Sequence, residues 1–142
     1  TPLYSSAASD VYKRQNMSKE VNQTELKDRD LEELARFAAE IVSDSFASDI
    51  LLLNISNKSA FTDFMIILTV DSSRQMSAVA EDLEIEMKSK GINKFRKEGA
   101  ANSGWVVVDF GDIVVHLFGK DEREYYALDD IWSGAQQLLR IQ

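Results

Sequence analysis

The run Phe64–Val70 constrains the fold most, because six of its seven residues are apolar and they fall on both faces of an extended chain. A strand of this kind needs cover on both sides, which places it in the interior of a sheet. A second strand pattern, Asp49–Ile55, precedes it across the polar turn Ser56–Ser59. The sequence therefore predicts a sheet protein in which other elements pack on the sheet.

Two segments have the period of amphipathic helices. The first is predicted to begin at Asp30, which would form a capping box with Glu33. The second follows Asp71-Ser72-Ser73, whose side chains offer cap oxygens, and ends before Gly91, a residue suited to the C′ position. The apolar stripes consist of Leu31, Leu34, Ala35, Ala38, Ile41 and Val42 in the first helix and Met76, Val79, Ala80, Leu83 and Met87 in the second.

The last third of the chain predicts a short strand around Ile92–Arg96, then a hairpin, then a helix from about Glu122. The hairpin strands Trp105–Phe110 and Ile113–Phe118 flank Gly111-Asp112, a Gly-X loop typical of a type II′ turn. The apolar residues assigned to the final helix are Leu128, Ile131, Trp132, Ala135 and Leu138. The predicted order is α-β-β-α-β-β-β-α, a single α/β domain with a mixed sheet of about five strands flanked by helices, including a right-handed β-α-β crossover.

Residues 30–142 form the predicted domain, and residues 1–29 form a separate N-terminal segment that is disordered or was added by cloning. Residues 1–16 show no helical or strand period, Met17 resembles a natural start, and the residues after it are polar. We find no signal peptide, and no apolar run approaches the length of roughly 20 residues that a membrane span needs. We therefore expect a cytoplasmic protein.

Composition excludes several classes of site. The chain has no cysteine and a single histidine, which excludes disulfide scaffolds, iron–sulfur clusters, cysteine nucleophiles and sites with two imidazoles. The net charge of −8 falls entirely on residues 31–142, because residues 1–30 hold equal numbers of acidic and basic side chains. An acidic domain is a poor binder of nucleic acid by its general field and is suited to a basic partner, although acidity also simply favours solubility.

The residues that could carry chemistry are few. No phosphate-binding glycine loop and no nucleophile elbow is present. Asp63 and Asp109 could face each other and bind a divalent cation, but Asp63 could equally cap a strand. His116 has apolar neighbours, and such a histidine is more often structural than a general base. Trp105 beside Asp109 is consistent with either a core residue or a binding hot spot.

Several motifs follow one another in the order of a known family. They are Phe61–Ile67, Asp71–Gln75, Glu98-Gly99, Trp105–Phe118 and Arg123–Trp132. Together they closely resemble the ribosomal silencing factor family, also called Iojap or RsfS, over about residues 30–133. One departure is Asp129-Asp130, where the family tends to have Glu after the leucine.

The resemblance implies a non-enzymatic factor with a nucleotidyltransferase-like fold and with neither cofactor nor metal. Family members bind the large ribosomal subunit at ribosomal protein fourteen, a basic protein, and block the small subunit, which represses translation under nutrient limitation. Some members act in large-subunit biogenesis.

Against this background we expect the docking surface to lie on the hairpin and its neighbours. The candidate partner-binding residues are Arg74, Glu98, Trp105, Asp109, His116, Tyr125 and Tyr126. The aromatic residues would be anchors, and the acidic region Asp121–Asp130 would steer toward Lys and Arg. The basic run Lys88–Lys97 is either a solvated helix end or a minor contact to ribosomal RNA.

Two alternatives stay open at this point. One is an active metal-dependent nucleotidyltransferase that uses Asp63 and Asp109. The other is a homodimeric adaptor that pairs through an exposed sheet edge.

Overall fold

The computed structural model describes the backbone of residues 20–142 and the side chains of residues 30–142. Six strands form one mixed sheet in the order β3-β4-β5-β2-β1-β6. The strands are β1 (Ser48–Asn54), β2 (Phe64–Val70), β3 (Arg96–Glu98), β4 (Trp105–Asp109), β5 (Ile113–Gly119) and β6 (Gln136–Ile141). The α-helices are α1 (Glu20–Asp44), α2 (Ser73–Ser89), α3 (Lys120–Tyr126) and α4 (Leu128–Ile131), and a 3₁₀ turn covers Ala101–Ser103.

The α/β class with a central mixed sheet is confirmed, and β2 is the interior strand that its composition predicted. All seven of its residues are buried. β2 pairs with β5 in parallel, and the other neighbouring strands pair antiparallel. The crossover through α2 leads from β2 to β3, which lies at the edge of the sheet beyond β4 and β5.

The helices α1 and α2 cover one face of the sheet, which we call the helix-covered face. The predicted apolar stripes of both helices lie in this main core together with Val106, Val108, Val115 and Leu117 of β4 and β5. The α2 ends are as predicted: the Ser72 hydroxyl accepts the Gln75 N–H at 3.0 Å, and Gly91 follows the helix with φ +88°.

The start of α1 differs from the prediction. The helix begins at Glu20, so Asp30 lies inside it and is not its N-cap, and residues 20–29 are helical where we predicted an unstructured segment. Eight of the ten residues of this extension are polar or charged, so no apolar stripe marked it, although its Glu, Lys, Gln and Arg residues have good helix propensity. The rest of the N-terminal segment, residues 1–19, lies outside the described residues.

The hairpin turn between β4 and β5 is as predicted. Phe110 N–H donates to the Ile113 carbonyl at 2.9 Å, which leaves Gly111-Asp112 as the two-residue loop. Gly111 has φ +94°, whereas Asp112 has negative φ, the combination of a type II′ turn. Asp109 Oδ1 accepts the Gly111 N–H at 2.7 Å and fixes the turn from the strand side.

The predicted C-terminal helix from Glu122 is wrong. It is replaced by two short helices, α3 and α4, and by a sixth strand, so the sheet has one strand more than expected. Ala127 adopts φ +49° between the two helices and interrupts them. β6 pairs antiparallel with β1, placing Leu139 opposite Leu52 and Ile141 opposite Ile50. The apolar residues of this segment have helical spacing, but they do not belong to one continuous helix. The strand forms because β1 otherwise has an unpaired edge.

None of the helices in the described part of the chain is long and apolar enough to cross a membrane.

Candidate functional site: the open face of the hairpin

The face of the sheet opposite α1 and α2 is only partly covered, and we call it the open face. Over β1 and β2 a second core contains Leu51, Leu53, Met65 and Ile67, and the C-terminal segment packs there through residues such as Trp132. Over β4 and β5 the cover thins out. The half-exposed side chains there are Trp105, Val107, Asp109, Val114 and His116.

Strand register brings most of the predicted docking residues together on this open face. Val107 lies opposite His116, Asp109 opposite Val114, and Glu98 of the edge strand opposite Val107. Because alternate residues of paired strands share a face, Glu98, Asp109 and His116 point to the same side as Trp105. Alternation along β4 accounts for the shared face of Trp105 and Asp109, and the strand register adds Glu98 and His116 to it.

An aromatic cluster occupies one end of the open face, and we call it the aromatic patch: Trp105, His116, Phe118, Tyr125 and Tyr126. The Trp105 ring stacks on Phe118 with centroids 5.0 Å apart, and lies 4.6 Å from the Tyr126 ring. Tyr125 meets Tyr126 edge to face at 5.0 Å. Phe118 is fully buried, whereas the exposed fraction is 45% for Tyr126 and 80% for Tyr125. The patch therefore runs from the core to solvent, so Trp105 is at once a core contact and an accessible one.

His116 is part of this patch and is not placed as a catalytic base. Burial lowers the pKa of its imidazole from 6.5 to about 4, so it is neutral near pH 7. Trp105 Nε1–H donates to His116 Nδ1 at 3.2 Å, which requires that nitrogen to be unprotonated. The pair orients the indole on the sheet, the structural role that a lone histidine among apolar residues suggested.

Asp63 and Asp109, the carboxylate pair considered for a metal, both lie near the hairpin turn between β4 and β5. The Asp109 carboxylate is engaged in the hairpin turn, and the Asp63 backbone N–H donates to the Asp112 carbonyl at 3.1 Å. Among the described residues, no group of three or more His, Asp or Glu side chains is placed to hold a metal ion.

Two other sequence candidates lie away from the aromatic patch. Arg74 is exposed on the first turn of α2, the helix that packs on the opposite face of the sheet. The basic run is divided between separate contacts: Lys90 Nζ lies 4.7 Å from the centre of the Phe37 ring, and Arg96 pairs with Glu98 at 2.6 Å. Arg74 therefore lies on the other side of the sheet, whereas Arg96 lies on the open face opposite Asp109.

Acidic side chains surround the tyrosines. Asp121, Glu124 and Asp130 are exposed on or beside α3 and α4, within a few residues of Tyr125 and Tyr126. The region that the sequence marked as acidic therefore borders the exposed end of the patch. An apolar, aromatic centre with a charged rim is the usual composition of a protein-binding surface.

The arginine next to the tyrosines, Arg123, is the functional candidate whose importance the sequence understated. Its exposed fraction is 8%, and it contacts Asp129, Thr69 and Asp49. Burial alone would raise the pKa of Asp129, but the hydrogen bonds and charge of Arg123 hold that pKa below its ordinary value. The sequence signal for it was its place at the start of the motif Arg123–Trp132, two residues before Tyr125.

Residues 28–142 match the model of a family described as ribosomal silencing factor during starvation. A ribosomal silencing factor from Haemophilus influenzae is 40% identical over 100 residues, which cover 70% of this chain and 98% of the relative. Another, from Halalkalibacterium halodurans, is 38% identical over 104 residues, which cover 73% of this chain and 89% of the relative.

Two solved structures are also similar to this chain in fold and in sequence. A crystal structure of a Chromobacterium violaceum protein has a TM-score of 0.69 and 33% identity, covering 77% of this chain and 90% of its own. A Bacillus halodurans structure has a TM-score of 0.66 and 36% identity, covering 76% of this chain and 98% of its own.

Proposed function

The chain belongs to the ribosomal silencing factor family, and from that premise we propose that it binds the large ribosomal subunit at ribosomal protein fourteen. Bound there, it would block association with the small subunit and repress translation under nutrient limitation. Binding to the large subunit would also allow a part in its biogenesis. The named function of the relatives is regulatory, which agrees with a surface that binds rather than catalyses.

The observation that carries the proposal is the aromatic patch on the open face. Trp105 is half-exposed although it contacts three other rings, and Tyr125 and Tyr126 extend the patch into solvent. Large aromatic side chains that are held in place before binding lose little conformational entropy and are typical binding hot spots.

The charge around the patch supports a basic protein as the partner. Asp121, Glu124 and Asp130 lie close in sequence to the tyrosines, Glu98 and Asp109 lie on the same face of the sheet as Trp105, and the domain as a whole is acidic. A negative rim attracts lysines and arginines of a partner and repels phosphate, so it favours ribosomal protein over ribosomal RNA.

The proposed mechanism is steric. A domain bound across the surface where the two subunits meet prevents their contact without any chemical step. It needs only an affinity that competes with subunit joining. The site residues on which the proposal depends are Glu98, Trp105, Asp109, His116, Tyr125 and Tyr126, with Arg74 as a peripheral candidate.

The test combines co-sedimentation with purified large and small subunits and light scattering of subunit joining. We expect binding to the large subunit alone and slower joining. Trp105→Ala should weaken large-subunit binding by about tenfold or more, the loss typical of a central aromatic anchor. Far-UV circular dichroism and thermal unfolding establish that the variant is folded.

Phe46→Ala is the matched control, because Phe46 is also an exposed aromatic residue but lies in the α1–β1 connection beside α2. It should bind like the unaltered protein. Absence of binding to the large subunit would contradict the proposed function, and unchanged binding by folded Trp105→Ala would contradict the proposed surface.

A further inference from the structure

Arg123 is a buried charge at the junction of four elements. Its guanidinium donates to both oxygens of Asp129, from Nε at 3.2 Å and from Nη2 at 2.8 Å. Nη1 donates to the Thr69 hydroxyl at 3.0 Å and to the Asp49 backbone carbonyl. The residue itself lies on α3, Asp129 on α4, Thr69 on β2 and Asp49 on β1, so one side chain joins all four.

The same side chain lies next to the tyrosines of the aromatic patch. Tyr126 follows Arg123 by three residues on α3, a helix of seven residues, or about two turns, that is followed by a break at Ala127. A helix of this length is not stable by itself and depends on tertiary contacts. The contacts of α3 with the sheet include those of Arg123 on one side and those of Tyr126 with Trp105 and Phe118 on the other.

The backbone of β1 is irregular where it meets Arg123. Asp49 adopts φ +47° where the register of β1 shifts, a conformation that costs energy in a residue other than glycine. The Asp49 carbonyl accepts from Arg123, and its carboxylate pairs with Arg140 at 2.9 Å. The irregularity turns the Asp49 carbonyl toward the guanidinium, so the strand is shaped to receive the arginine.

We propose that Arg123 is a positioning residue: by joining α3 to β1, β2 and α4, it holds the Tyr126 ring against Trp105 and fixes the aromatic patch before a partner binds. Lysine cannot replace it, because only a guanidinium forms two parallel bonds to a carboxylate while a third donor reaches the sheet. The effect of Arg123 on partner affinity rests on the proposed function, whereas its effect on the patch can be measured in the free protein.

The experiment uses the full chain with Trp132→Phe, which leaves Trp105 as the single tryptophan. In this background Arg123→Met should shift the Trp105 emission to longer wavelength and increase its quenching by acrylamide, since the Tyr126 ring no longer covers the indole. The unfolding midpoint, measured separately, establishes that the comparison is made well below unfolding. Tyr126→Ala should give the same spectral change, and adding Arg123→Met to it should give little more.

Arg140→Met is the matched control, because Arg140 also pairs with Asp49 but lies on β6 and not on the tyrosine helix. It should leave the Trp105 emission unchanged. If Arg123→Met does not fold, Asp129→Asn replaces it in the experiment. This variant removes the charge of Asp129, which accepts two hydrogen bonds from Arg123. The Trp105 emission should then shift in the same direction by a smaller amount.

Binding to the large subunit gives the second readout. Arg123→Met should weaken binding about tenfold in the parent and less than about twofold when Tyr126→Ala is already present, because the arginine acts through that ring. Unchanged Trp105 emission in the folded variants, or equal losses of affinity in both backgrounds, would overturn the positioning role. If the parent does not bind the subunit, the proposed function fails while the emission data still decide the role of Arg123.

Discussion

The two faces of strand β4 differ although its three central residues are all valine. Val106, Val107 and Val108 are consecutive, and the exposed fraction is 0% for the first and third, whereas Val107 is half-exposed. On the helix-covered face the neighbours across the strands are Val115 and Leu117, all apolar and fully buried. On the open face the neighbours are a tryptophan, an aspartate and a histidine.

This difference separates two tasks within one hairpin. The helix-covered face contributes stability through buried apolar area, and any polar group there would lose its water without finding a partner. The open face keeps polar groups because each has a local partner, as Trp105 has in His116 and Asp109 has in Gly111. If the division is real, substitutions on the two faces should change different quantities.

The largest effect on stability should come from the helix-covered face. Val108→Ala removes two methyl groups from a fully buried site, and we expect the free energy of unfolding to fall by about 2–3 kcal/mol. Val107→Ala, one residue away on the half-exposed face, should cost less than about 1 kcal/mol. Urea unfolding of both variants measures the difference.

Binding should respond in the reverse order. Val107→Ala should weaken binding to the large subunit, because Val107 lies beside His116 on the proposed docking surface, whereas folded Val108→Ala should bind normally. Equal losses of stability at the two positions would contradict the division between the faces.

A smaller effect should appear as a pH dependence that comes from the open face. His116 has a pKa of about 4 when folded against 6.5 ordinarily, so between these values the unfolded chain takes up a proton that the native protein does not. Stability should therefore fall as the pH drops from 6.5 toward 4, by about 1–2 kcal/mol allowing for the partial exposure of the ring.

Carboxylates also titrate toward the acidic end of this range, so the comparison is with His116→Gln. This variant keeps a side chain that can accept from the indole but has no titrating group. Its free energy of unfolding should vary less with pH between 4 and 6.5 than that of the parent. Identical slopes would show that the imidazole is not desolvated in the native protein.

The elements that the sequence predicted well are those whose signal is local and complete. The β2 run, the capped α2 helix and the Gly111-Asp112 turn each carry their own pattern, and the structure has all three. The alternation along β4 placed Trp105 and Asp109 on one face, but it left open whether the His116 set or the Val115 set of β5 shares that face, and only the register of the hairpin decides for His116.

The elements that were missed depend on contacts between distant residues. β6 exists because Leu139 and Ile141 find the open edge of β1, more than 80 residues earlier in the chain, and no local pattern encodes that register. Arg123 was undervalued for the same reason: Thr69 and Asp49, two of its partners, lie 54 and 74 residues away. A buried arginine has the same sequence pattern as an exposed one until its partners are known.

The smallest effects on binding should come from a comparison of one charge at the rim of the open face with one charge on the helix-covered side. Glu98→Gln removes a rim charge that is already paired with exposed Arg96, so the affinity for the large subunit should change by less than about 0.5 kcal/mol. It should, however, slow association and reduce the dependence of binding on salt, because a rim charge acts mainly on the encounter with a charged partner. Arg74→Gln on α2 should change both quantities less than Glu98→Gln does, since its helix packs on the opposite face and Arg74 is only a peripheral candidate. Association rates at two salt concentrations measure both variants, and a larger effect of Arg74 than of Glu98 would extend the docking surface around the edge of the sheet.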